Sequence, residues 1–165
     1  QALPVVIARR AVDQLALLTA LGRRNLERRF KKAPSNTVVE YIQRVKIEAA
    51  GVYTYPDVSV VCGDAQFADA EFDTLVNPMV IIEVLSPSSE RYDRGKKFQL
   101  YRDLPSLQEY VLVAQDDSHI ERFRLQKSGI WEFTDAKGLD ASLELASIGC
   151  TLALGEVYEQ VTLGG

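Results

Sequence analysis

One histidine, His119, and two cysteines, Cys62 and Cys150, are all the imidazole and thiol side chains in 165 residues. A lone histidine excludes any zinc site built on two. His119 precedes the strand-like "IERFRL" with no motif around it, and it is assigned no role. The cysteines lie far apart and outside any Cys-x-x-Cys pair, so they read as buried thiols. No apolar run reaches the roughly 18 residues needed to span a bilayer. In "QALPVVIARR" the positive charges follow the apolar residues, the reverse of a secretory leader. The expectation is a soluble, cytoplasmic protein without membrane contact. There are no repeats and no low-complexity tracts. Carboxylates and lysine remain as carriers of chemistry.

What is present suits one domain spanning residues 1–165: 47% of the chain is hydrophobic and 25% charged, enough for a packed core. Charge is uneven. Residues 1–32 hold eight Lys and Arg against Asp13 and Glu27, a balance of +6, whereas the rest sums to −10. A basic end can meet an anionic partner such as nucleic acid. From charge alone, a solvated helix face explains it as well.

Hydrophobic spacing predicts a helix in "VDQLALLTALGRRNLERRF", one or two strands in "VVEYIQRVKIEA" and a hairpin-like link at "GVYTYP". "DVSVVCG" is a strand opened by Pro56, and 63–78 is an acidic loop. "MVIIEVLS" is almost unbroken apolar sequence, as in a strand buried on both faces. A helix is predicted from near Ser88 or Ser89, ending by Leu104-Pro105. "LQEYVLVA", "HIERFRLQ" and "GIWEFTD" are further strands, the last two joined by a turn at Lys127-Ser128-Gly129. "LALGEVYEQV" reads as a short helix. The order argues an α/β domain with a mixed sheet.

Glu83 stands inside the most apolar of these strands. A glutamate so placed needs a partner, because an unpaired buried charge is costly. Asp57 opens the "DVSVVCG" strand; taken alone, it is an ordinary turn residue after proline. If the two strands are neighbours, the carboxylates meet, and a close pair of that kind calls for a cation. Oxygen-only ligands suit Mg²⁺, with the Val84 backbone carbonyl as a third donor.

"YPDVSVV" followed by "IIEVLSPSSERYDRGKKFQLYRDLPSLQEYVLV" resembles the Uma2 family (DUF820) of PD-(D/E)xK restriction-endonuclease-like nucleases. The resemblance runs from about Val45 to Val161. It rests on Pro56-Asp57, Glu83-Val84-Leu85-Ser86, Asp93-x-x-x-Lys97-x-x-x-Tyr101 and Glu109-Tyr110. It implies a restriction-endonuclease-like mixed β-sheet core flanked by helices. It also implies a catalytic set of Asp57, Glu83 and Lys97, with Mg²⁺, or Mn²⁺ in its place, on Asp57, Glu83 and the Val84 carbonyl.

Where the parent superfamily has the lysine of Glu-x-Lys, this chain has Leu85. The Uma2 pattern supplies the amine from the following helix, at Lys97. Asp93, Lys97 and Tyr101 are spaced i, i+4, i+8 on one helix face, where Asp93 and Tyr101 would support the site. Lys96 lies about 100° around the helix. By spacing alone, an ordinary Asp93–Lys97 ion pair with Tyr101 as packing serves equally. The family's upstream Tyr-Glu-Leu-x-x-Gly-Glu-like hairpin is absent, as if a stretch were deleted near Ala20–Arg23. On the basic N-terminal helix, Glu27 is the one acidic candidate. The implied partner is nucleic acid, with DNA expected, and a homodimer follows by analogy. A nuclease fold without catalysis, binding nucleic acid or protein, is the alternative.

Overall fold

The computed structural model describes residues 39–42, 46–68, 74–159, 161 and 163. The strands are β1 (Val39–Ile42), β2 (Ile47–Ala49), β3 (Val52–Thr54), β4 (Val58–Cys62), β5 (Val80–Leu85), β6 (Glu109–Ala114), β7 (His119–Leu125), β8 (Trp131–Lys137), β9 (Ser142–Leu145) and β10 (Cys150–Ala153). Between β5 and β6 runs one continuous helix, α1: an α-helical start Glu90–Tyr92, a π-helical middle Asp93–Lys97 and an α-helical end Phe98–Tyr101. A single turn, α2 (Leu154–Val157), follows β10. The N-terminal basic helix expected over 1–32, with Glu27, lies outside the described residues.

Six strands form one sheet in the order β1-β4-β5-β6-β7-β8, all antiparallel except β5–β6. That pair is parallel because α1 carries the chain back between them, as parallel neighbours require. The apolar run of β5 serves both faces. Ile81 and Leu85 pack with Tyr110, Leu112, Tyr101 and Leu107 on the α1 side. Val80 and Ile82 pack with Val111, Val113 and Ile120 on the other. Ile47, from the β2–β3 hairpin, joins the α1 side. That hairpin turns through Ala50 and Gly51 with φ of 52° and 77°, the two positive angles a tight primed turn needs.

The second face differs from expectation. It is covered by the β9–β10 hairpin and the one-turn α2, and Leu152 and Ala153 belong to β10 and not to a helix. The reason is alternation: Leu143, Leu145, Cys150 and Leu152 are buried while their neighbours Glu144 and Thr151 are exposed. The helix after β5 also stops at Tyr101, before Leu104-Pro105.

A buried ion pair ties this hairpin to the sheet. Glu109 Oε2 accepts the Ser147 amide at 3.1 Å and the Ser147 hydroxyl, and Oε1 lies 3.6 Å from Arg122 Nη1. Arg122 donates in turn to the Glu144 carbonyl and, at 3.3 Å, to Thr134 Oγ1. Glu109→Ala strands the Arg122 charge, so unfolding by urea should show a loss of about 3–5 kcal/mol. A loss below about 1 kcal/mol would mean the pair contributes no more than a surface one.

Candidate active site

The β4–β5 ladder ends at the pair Val58–Ile82, one step before Asp57 and Glu83. Pro56 has no amide hydrogen to continue it, and the strands part. Their side chains fill the gap reciprocally. The Asp57 amide donates to Glu83 Oε2 at 3.2 Å, and the Val84 amide donates to Asp57 Oδ2 at 2.8 Å. The amide and carbonyl of one strand residue face the same edge, so the Val84 carbonyl is also directed towards the β4 side.

Glu83 shares its face of β5 with Ile81 and Leu85 and is 1% exposed. Its Oε1 meets two groups from α1: Lys97 Nζ at 3.0 Å and the Tyr101 hydroxyl, which donates at 3.2 Å. Lys97 Nζ lies equally close, 3.0 Å, to Asp93 Oδ1. Asp57, Glu83, Asp93, Lys97 and Tyr101 therefore form one connected cluster. Lys96 is exposed and lies outside it, whereas Leu85 is core beside Tyr101.

Burial pushes the Glu83 carboxyl up to about 8; Lys97 pulls it down and Asp57 adds to the rise. Burial also raises Asp57, against the Val84 amide and Lys97. Burial works to lower the Lys97 ammonium, but Glu83 and Asp93 carry it above its ordinary value. Tyr101 is raised by burial and by the negative charge of Glu83, so its hydroxyl stays a donor.

The cluster opens into a cleft of about 240 Å³ lined by Asp57, Glu83, Val84, Asp93 and Lys97 and also by Ser86, Ser89 and Gln115. Ser86 and Gln115 follow the ends of β5 and β6, so the cleft sits at the carboxyl end of the parallel pair, where α/β sheets bind ligands. Ser89 begins α1 without capping it; its Oγ lies 3.0 Å from Ser86 Oγ.

The donors offered are all oxygen. Among the described residues no three His, Cys, Asp or Glu side chains form a metal-holding group. Two carboxylates and a carbonyl match Mg²⁺, which keeps waters and takes one or two protein carboxylates. A site saturated with protein ligands, as for structural zinc, does not fit.

A profile of the Uma2 family, described as "Putative restriction endonuclease", matches residues 10–155. The chain belongs to the Uma2 family. Two uncharacterised proteins of Synechocystis sp. are similar to it. One, slr1290, is 39% identical over 115 residues, 70% of this chain and 59% of its own. The other, sll1609, is 35% identical over 103 residues, 62% of this chain and 58% of its own. The chain thus spans less than two thirds of either relative. In fold it resembles a "putative nuclease belonging to DUF820" from Anabaena variabilis, with a TM-score of 0.65 and 16% identity over 93% of this chain and 82% of that one. The mixed sheet is therefore a nuclease-like fold of the α/β class.

Within this Uma2 chain, Ser86, Ser89 and Gln115 are cleft residues that sequence reasoning passed over. Serine before a helix reads as a cap, and Gln115 has no motif. Its position just past a strand parallel to the Glu83 strand was the available signal. His119 lies apart, its Nε2 3.0 Å from Asp135 Oδ2. Cys150 is buried and Cys62 half-buried, and neither is in a disulfide. Among the described residues no helix is long and apolar enough to cross a membrane.

Proposed function

We propose that this protein is a metal-dependent endonuclease that hydrolyses phosphodiester bonds in DNA. One observation carries the reading: Glu83, buried in a central strand, is held at once by Asp57 across the parted ladder and by Lys97 from α1. Unlike Glu109, whose partners bind a hairpin to the sheet, Glu83 lines a cleft together with Asp57 and Lys97.

In this reading Asp57, Glu83 and the Val84 carbonyl hold Mg²⁺, for which Mn²⁺ can substitute. The metal, when bound, lowers the pKa of a water and offsets charge on the phosphate. Lys97 places its ammonium beside the attacked phosphate, where charge develops. Asp93 and Glu83 keep that amine charged and aimed, and Tyr101 fixes the Glu83 rotamer by donating to Oε1. The basic segment 1–32 would add phosphate contacts without reading sequence, and Glu27 within it would be a supporting acidic residue of the site. A homodimer would let two sites cut two strands.

The test is nicking of supercoiled plasmid. The wild type should nick with Mg²⁺ or Mn²⁺ and stop on chelation, and Asp57→Asn should lower the rate by about 10²-fold or more. Equal rates for wild type and Asp57→Asn would reject the reading. A second reading is a nuclease fold that binds nucleic acid or protein without cutting. It is favoured by the way Lys97 occupies Glu83 Oε1, an oxygen the metal would share. Mobility shift of plasmid without nicking under any divalent cation would support it.

A further inference from the structure

We infer that Tyr110, on β6, is a positioning residue for Lys97, acting through the backbone of α1; this rests on the reading of Lys97 as the working cation. The Tyr110 hydroxyl, fully buried, donates to the Asp93 carbonyl at 2.9 Å. Asp93 is the residue at which α1 leaves α-helical winding and becomes π-helical. Helices depart from regular winding where a side chain enters the backbone hydrogen-bond ladder, and π-helical turns gather at functional sites. Here the intruding group is identified. A hydroxyl from the sheet engages a carbonyl inside the helix, at the turn that carries both Asp93 and Lys97.

The consequence for the site is direct. A π-helical turn is wider, so residues four apart come nearly above one another. Asp93 is thereby held at both of its ends: its carbonyl by Tyr110 and its Oδ1 by Lys97 at 3.0 Å. Lys97 then reaches Glu83 at 3.0 Å. The peg is rigid. The Tyr110 ring stacks on Phe98, with centroids 5.4 Å apart and planes at 13°, and leans on Tyr101 at 5.6 Å. Tyr110 also pairs in register with Ile81, two residues before Glu83 on the same face of β5. One strand pair thus sets both the carboxylate and the helix turn opposite it. Gly95, at the centre of the turn, has open space where a Cβ would lie, so clearance there does not dictate the winding.

Tyr110→Phe removes the hydroxyl and keeps the ring. Lys97 acetylation by an amine-reactive ester, followed by mass spectrometry of the metal-free full chain, should speed up severalfold as the ammonium leaves its two carboxylates. In the plasmid assay kcat should fall roughly tenfold with KM and the Mg²⁺ midpoint near wild type, because misplacement affects the chemical step first. Tyr158→Phe is the control for simple loss of stability, since that buried hydroxyl donates to the Ala114 and His119 carbonyls and not to α1. It should leave Lys97 labelling unchanged. Labelling in Tyr110→Phe that matches wild type, or that Tyr158→Phe reproduces, overturns the inference. A wild type with no nuclease activity would sink the proposed function instead, while the labelling comparison would still decide whether Tyr110 positions Lys97.

Discussion

Glu83→Gln is expected to lower Mg²⁺-dependent nicking by roughly a thousandfold while making the metal-free protein more stable in alkaline solution. The two effects share one cause. Burial raises the Glu83 carboxyl from 4.5 to about 8 in the folded protein, and Lys97 only partly opposes it. The unfolded chain keeps the ordinary value. Between those two values the folded state therefore binds the proton more often, and stability falls as pH rises. The decline begins near the ordinary value and is complete above the raised one. At about 1.4 kcal/mol per pH unit it amounts to a few kcal/mol at most. Glutamine fits the same space without a charge to bury, so urea unfolding in chelator from about pH 5 to about pH 9 should show a flatter profile for the variant. Mg²⁺ should reverse the trend in the wild type, because the metal takes the ionised carboxylate and binds more tightly as pH rises. Matching pH slopes in wild type and Glu83→Gln would contradict the buried-charge account, and undiminished nicking would contradict the metal role.

What the sequence disclosed about this cluster came from misfits. Glu83 stood out because a carboxylate in "VIIEVL" must find partners, and in the fold it has Asp57, Lys97 and Tyr101. Asp57 could be named as its partner only on the condition that the two strands are neighbours, which the pairing of β4 with β5 meets. The contact of Lys97, rather than Lys96, with Glu83 followed from helix spacing together with the family pattern. Less was legible where the partner comes from far along the chain or where winding departs from 3.6 residues per turn. Glu109 and Ser147 are 38 residues apart, and nothing local to either announces the other. The hairpin of β9 and β10 was missed because its alternation is short and broken by Ile148-Gly149. The π-helical turn at Asp93–Lys97 depends on a hydroxyl from β6, a contact that no periodicity within α1 can encode.

Lys97→Met should separate metal binding from catalysis by moving them in opposite directions. Lys97 Nζ is 3.0 Å from both Glu83 Oε1 and Asp93 Oδ1, on a side chain that is 14% exposed. Methionine keeps the apolar stem packed, so the change isolates the charge. Without that cation, two buried carboxylates lose their shared partner. Removing one member of a buried ion pair costs about 3–5 kcal/mol, reduced here to the extent that Glu83 takes up a proton instead. The metal-free variant should therefore melt several degrees below wild type. Mg²⁺ should restore more stability to the variant than to wild type, because the lysine no longer competes for Glu83 Oε1, and calorimetry should show tighter Mg²⁺ binding. Nicking should nevertheless fall by about 10²–10³-fold, the loss expected when one electrostatic contact to developing charge is removed. Arginine should not rescue it, since a planar guanidinium cannot sit as a point charge between two carboxylates. Tighter metal binding with full activity would place Lys97 among the groups that merely neutralise Glu83 in the empty site. Weaker metal binding would show that the lysine shapes the metal site rather than competing with it. Only the combination of tighter binding and lost cutting fits a lysine that yields Glu83 to the metal and turns its own charge to the phosphate.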